Sequence, residues 1–235
     1  MENDRRCHLY ILFTVFLCYA VLRIVVVDYY TIATPSMSPT IQPGQRVRAV
    51  KLLSCSRQKI TPNDIIFFNV PTHEGMKEMT RGEVYCKRVL GTPGDRIGAV
   101  DGHCWNDRML RPVGVVEEQE KLRWMFDGFF RMTDSYEVIP FTDSDWNIKN
   151  WGPIIVPAKG LTMELDDFTR ELYRKVIEYE TGEPLEESLM EFTFRGNYYF
   201  AVGDNAMSSF DSRYWGFIPE DFIIGIVCDR RIRNK

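Results

Sequence analysis

Tyr85-Cys86-Lys87-Arg88-Val89-Leu90-Gly91-Thr92-Pro93-Gly94-Asp95 reads as a strand running into its own turn. From Glu83 to Leu90, aromatic, β-branched and other apolar side chains favour an extended chain. Pro93 and Gly94 then stop it, because proline presets φ and glycine accepts a positive one. Segments of the same kind lie on both sides. Gln45 to Leu53 follows Pro43-Gly44 and alternates through Arg46-Val47-Arg48-Ala49-Val50, the pattern of a half-buried strand. Asp64 to Val70 ends at Pro71, and Tyr198 to Val202 and Phe222 to Cys228 flank a polar loop. Short strands parted by Gly/Pro turns predict a mostly β domain.

Between Gly98 and Gly196 the pattern changes. Asp127-Gly128 predicts a hairpin turn. Trp124, Met125, Phe126, Phe129 and Phe130 form an aromatic cluster around it, read as packing of an inserted unit, with contact to lipid as the other choice. Leu165, Phe168, Leu172, Val176 and Tyr179 recur at helical spacing before Gly182, which predicts one amphipathic, core-facing helix. The expected organisation is a short N-terminus (1–8), an anchor (9–27), a β core (28–98 and 197–235) and a small α+β cap (99–196) inserted in it.

The anchor is expected because Leu9 to Val27 is charged only at Arg23. As a helix it would be about 28 Å long, close to the hydrocarbon thickness of a bilayer. Arg5 and Arg6 precede it, which places the N-terminus in the cytoplasm and the remaining chain outside a cell membrane, crossed once. A cleaved signal peptide and a buried core helix are the rival readings, but the apolar run ends in Leu22-Arg23-Ile24-Val25-Val26-Val27-Asp28, without small residues at −3 and −1 of a cleavage site, and no comparable apolar stretch follows to pair with it. A net charge of −4 disfavours nucleic acid as a partner. No Cys-x-x-Cys occurs, and the adjacent His103-Cys104 is read as a loop pair, so no metal and no cofactor is expected. Cys55, Cys86, Cys104 and Cys228 would lie where disulfides are permitted, in a pairing the sequence leaves open.

Three segments carry chemistry. Thr34-Pro35-Ser36-Met37-Ser38-Pro39-Thr40 follows the anchor, the Lys87 segment comes second, and Gly203-Asp204-Asn205 through Ser209, Asp211-Ser212-Arg213 and Gly216 comes third. A serine hydroxyl needs a base to become a nucleophile, and a lysine can be that base only if its pKa is depressed. In this order, behind an anchor, the three segments resemble the type I signal peptidase family, membrane-bound serine proteases that remove signal peptides from exported proteins.

The resemblance implies an all-β catalytic core with an inserted cap. It makes Ser36 the nucleophile and Lys87 the general base. Ser209 would hydrogen-bond and orient Lys87, Asp211 and Arg213 would form a supporting pair with Asp204 near them, and Thr34 would help bind the oxyanion. Ile32, Tyr85 and Cys86 would line substrate pockets that accept small side chains such as alanine. The implied partners are signal-peptide-bearing preproteins and the bilayer, with no obligate protein partner. Pro35 and Cys86 depart from residues common in the family, and Ala206-Met207-Ser208 replaces its more polar run. A specialised relative with few substrates is one alternative, and a catalytically silent, membrane-tethered β module is another. Self-cleaving Ser/Lys repressors are disfavoured by the anchor. Ser56-Arg57-Gln58-Lys59 also fits Ser-x-x-Lys but lacks the motifs that accompany it in penicillin-binding proteins.

Overall fold

Twelve strands and three helices run through the described residues from Val27 onward. The computed structural model describes residues 8, 10–17, 19, 26–51, 59–73, 79–124, 146–229 and 232. In chain order the elements are β1 (Val27–Thr31), β2 (Arg46–Lys51), β3 (Ile65–His73), β4 (Met79–Gly91), β5 (Arg96–Val100) and β6 (His103–Asn106). Helix α1 (Val116–Arg123) follows, then β7 (Trp151–Ile155), β8 (Thr162–Glu164), α2 (Asp167–Thr181), β9 (Glu191–Thr193) and β10 (Tyr198–Val202). The chain ends with α3 (Ser212–Trp215), β11 (Ile218–Pro219) and β12 (Ile223–Val227). The strands read from the sequence are present as β2, β3, β4, β10 and β12, so the protein is mostly β. The predicted hairpin at Asp127-Gly128 and all of the aromatic cluster except the exposed Trp124 lie outside the described residues.

A seven-stranded sheet has the order β1-β2-β12-β3-β4-β10-β11, and its described pairings are antiparallel. The last described strand thus sits inside the sheet, between β2 and β3. Alternation along β3 and β4 divides the two faces. Phe67 and Cys86 join Ile32, Met37, Ile41, Val47 and Ala49 in one buried cluster. Ile66 and Phe68 join Val89, Trp215 and Ile226 in another. A three-stranded sheet (β6-β5-β7) and a two-stranded one (β8-β9) build the region between β4 and β10.

Helix α2 shows how closely local signals were obeyed. Asp166 and Thr169 form a reciprocal capping box, and Gly182 ends the helix at φ 73°, a left-handed conformation that glycine adopts without steric cost. Leu172, Tyr173, Val176 and Ile177 are buried, while Phe168 is partly exposed against Trp146. The Tyr173 hydroxyl donates to the Ile155 carbonyl at 2.7 Å, and its ring stacks on Phe217, tying α2 to β7 and to the chain's end.

No helix among the described residues is long and apolar enough to cross a membrane. Residues 8, 10–17 and 19 of the expected anchor are helical. Tyr10, Ile11, Leu12, Phe13, Val15, Phe16, Leu17 and Tyr19 are each 50–71% exposed on it. Val27 was assigned to the anchor, but it opens β1 opposite Val50, so the sheet begins there. Among the described cysteines, Cys86, Cys104 and Cys228 are all free thiols; Cys55 lies outside. The pair His103-Cys104 lies on a strand rather than a loop. Alternation sends its side chains apart, His103 to Glu120 at 3.1 Å and Cys104 into the core.

Candidate active site

Ser36 occupies a single 3-10 turn, Pro35–Met37, immediately after the edge strand β1. The turn is held from both sides. Met37 is fully buried in the cluster beneath it. From above, the Asn205 backbone N–H donates to the Ser36 carbonyl at 3.0 Å, and the Asn205 side chain donates to the Pro35 carbonyl at 3.3 Å. Gly203 makes this approach possible. A Cβ there would lie 2.6 Å from both the Ser36 carbonyl oxygen and the Ser209 Cβ, closer than real Cβ contacts. The Gly-Asp-Asn segment is therefore a clamp on the backbone of the serine.

Lys87 comes from β4, opposite Ile66, and is 3% exposed. Burial lowers the pKa of its ammonium, and Asp211 opposes that effect without reversing it. The amine lies over the Tyr85 ring, 5.5 Å from its centre. Ser36 and Lys87 line one pocket of about 300 Å³ with Ile32, Thr34, Tyr85 and Cys86. Tyr30, Thr31, Ala33, Phe67, Glu83, Val84, Ser208 and Phe210 complete it. The structure thus brings the expected serine, lysine and pocket residues to one place, although Cys86 and Lys87 belong to opposite faces of β4. Burial pushes the Cys86 thiol up to about 12, so it is a small neutral wall residue and no competing nucleophile. The Thr34 hydroxyl donates to the Ser36 Oγ at 3.2 Å.

One expected contact is replaced by another. Ser209 does not bond Lys87; its hydroxyl donates to the Asp211 carboxylate at 2.6 Å. A buried carboxylate draws donors more strongly than a neutral group does. Asp211 also takes the Gly203 N–H at 2.9 Å and two guanidinium bonds from Arg213, at 2.8 and 2.7 Å. Burial alone would raise the Asp211 pKa, but Arg213, Lys87 and Ser209 hold it below the usual carboxylate value. With its proton committed to Asp211, Ser209 presents only lone pairs to its other neighbours.

Asp204, expected near the Asp211–Arg213 pair, has its own counter-ion in Arg88. The contact is bidentate, with both N–O distances 2.7 Å, and both side chains are buried. Arg88 also reaches the Asn63 carbonyl at 3.0 Å and the Thr40 hydroxyl at 3.3 Å. The Asn63 side chain in turn accepts the Gly114 N–H at 2.9 Å. Arg88, Asn63, Gly203 and Asn205 thus support the site without having been given roles from sequence. The Lys-Arg pair and the Gly-Asp-Asn run were visible there, but their partners were not. Among the described residues no group of three or more His, Cys, Asp or Glu side chains could hold a metal ion.

Comparison with known proteins bears on the same segments. The sequence profile of the family described as signal peptidase, peptidase S26, matches residues 5–228. Signal peptidase I of Buchnera aphidicola (subsp. Schizaphis graminum) is 25% identical over 233 residues, 91% of this chain and 70% of its own. Signal peptidase I of Bacillus caldolyticus is 27% identical over 214 residues, covering 88% and 81%. A solved signal peptidase I from Enterococcus faecalis V583 covers 73% of this chain and 98% of its own at 19% identity, with a TM-score of 0.36.

Proposed function

This chain belongs to the signal peptidase family, peptidase S26, and from that membership we propose that it is a membrane-anchored serine endopeptidase that removes N-terminal signal peptides. Ser36 is the nucleophile and Lys87 the general base. The observation that carries this reading is the joint placement of the Ser36 hydroxyl and a buried, depressed-pKa lysine on one pocket. A silent binding module has no need of a desolvated amine beside a clamped serine.

In the proposed reaction, neutral Lys87 takes the Ser36 proton as Oγ attacks the carbonyl of the peptide bond. The backbone N–H of Ser36 and the Thr34 hydroxyl meet the developing oxyanion, each such donor being worth about 2.7–4 kcal/mol. Lys87 then gives its proton to the departing amine, leaving an acyl-enzyme, and later takes one from the water that hydrolyses it. Ser209 acts through Asp211: its hydroxyl holds the carboxylate whose charge acts on Lys87. Ile32 and Cys86 restrict the side chains before the bond to small ones, A-x-A in pattern. No metal or cofactor enters.

A base that must be neutral makes activity rise with pH. Below the folded pKa of Lys87, which lies under its ordinary 10.5, kcat/KM on a preprotein-derived peptide is expected to climb about tenfold per pH unit, then level off. A profile flat from acid to alkaline pH would remove Lys87 as the base.

The anchor belongs to the same proposal. The described helical residues 10–17 and 19 are apolar except for Thr14, and the large apolar ones are at least half exposed, a surface suited to lipid. The chain would cross the cell membrane once, with the pocket on the extracytoplasmic side. The intact chain is expected in the membrane pellet after alkaline washing; recovery in the supernatant would refute the anchor.

A further inference from the structure

The pocket runs along a strand edge that has only one partner. β4 keeps an unbroken register with β3 from Arg88 opposite Ile65 to Val84 opposite Asn69. On its other side β10 meets it only at Arg88, Val89 and Gly91. Among the described residues, positions 83–87 therefore present an open edge, and they border the same pocket as residues 30–34 of the β1 side. An extended peptide laid along such an edge adds a strand, and its side chains alternate between two walls.

The two walls differ in chemistry. One is apolar: Cys86 lies opposite Phe67, both share a buried cluster with Ile32, and Tyr30 stacks on Phe67 at 4.3 Å. The other holds the residues of opposite parity, Lys87, Tyr85 and Glu83. Lys87 lies opposite Ile66 and Tyr85 opposite Phe68, which belong to the other cluster. With the peptide parallel to β4 and the residue before the cleaved bond opposite Cys86, its side chain on the apolar wall, strand spacing of about 3.4 Å per residue places Glu83 roughly 10 Å farther along. The side chain facing it belongs to the fourth residue before the cleaved bond, on the wall away from the small apolar pockets. Glu83 is exposed on the rim and has no ion-pair partner among the described residues.

We propose that Glu83 is a specificity-determining residue: it selects a cationic side chain, and rejects an acidic one, at the fourth position before the cleaved bond. This inference rests on the proposed function of the pocket. Its test uses the full chain in detergent micelles and three peptides that differ only at that position, carrying lysine, glutamine or glutamate. Wild type, Glu83→Gln and Glu83→Lys are compared by the ratio of kcat/KM for the lysine and glutamate peptides. Each ratio is taken within one enzyme, so any loss of folded protein cancels. A ratio of about five is expected for wild type, near one for Glu83→Gln, and inverted for Glu83→Lys, with all preferences shrinking in high salt. The same ratio in all three enzymes, with cleavage intact, overturns the inference and leaves the peptidase reading standing. Failure of wild type to cleave any of the peptides overturns the peptidase reading and this inference with it.

Discussion

Replacing Ser36 by alanine is expected to lower preprotein cleavage by a factor of about 10⁴ or more, with little change in stability. The substitution removes one hydroxyl, whose described bond is the 3.2 Å contact from Thr34, worth about 1 kcal/mol at most. Lys87→Met should abolish cleavage to a similar extent, and the double variant should be no worse than either single one, because the two groups act as a unit. Substantial cleavage by either single variant would sink the Ser/Lys assignment. The lysine variant should also be more stable than wild type. Burial makes folded Lys87 release its proton more readily than the unfolded chain does, so protonation favours the unfolded state. Wild type therefore loses stability relative to Lys87→Met as pH falls from 10.5 through the folded pKa, and the gap is constant below that. A gain of about 1 kcal/mol would raise the thermal midpoint by roughly 2–4 °C at neutral pH. A midpoint lower than wild type would show that the buried amine contributes more by contact than it costs by desolvation.

Asp211→Ala carries the largest expected loss of stability, about 3–5 kcal/mol by urea unfolding. The variant leaves Arg213, itself 1% exposed, without its counter-ion, and orphans the Gly203 N–H and the Ser209 hydroxyl. For a protein with a total stability of order 5–15 kcal/mol, that is a large fraction. Asp211→Leu combined with Arg213→Met should recover part of it, since no buried charge is then left unpaired. The Asp211 contribution is present above the ordinary carboxylate value of 3.8 and disappears only as pH falls through the lower folded value. Unfolding of Asp211→Ala within 1 kcal/mol of wild type would show that this network does not hold the site's frame.

Local signals were legible wherever a residue's neighbours in sequence supply its physics. Alternation and Pro/Gly turns located five strands of the large sheet. A leucine-valine stripe, with Gly182 beyond it, located α2 almost to its ends, and Asp166 and Thr169 supplied its cap. Strand β1 was not foreseen, because Val27-Asp28-Tyr29-Tyr30-Thr31 continues an apolar run and has no turn before it. Its pairing with β2 determines where the sheet begins.

The partners of buried charges were not legible in the same way. Asp204 is only seven positions from Asp211, yet its counter-ion is Arg88, 116 positions away. Ser209 lies two positions from Asp211 and bonds it, where a bond to Lys87 had been expected. In each case a carboxylate removed from water took the nearest strong donor in space. The Gly203 clamp on Ser36 likewise exists only because β10 carries Gly203 against a turn 167 positions earlier in the chain.

The sequence by itself determined the mostly β character, the family, and the residue types available for chemistry. These follow from side-chain period, turn residues and the order of three segments. Tertiary structure alone decided that Lys87 is desolvated and sits on one pocket with Ser36, and that Ser209 bonds Asp211 and not Lys87. It also left Glu83 exposed at the border of that pocket. Desolvation, ion pairing and the identity of a free strand edge are properties of neighbours in space, and a residue acquires them only when strands far apart in the chain have paired.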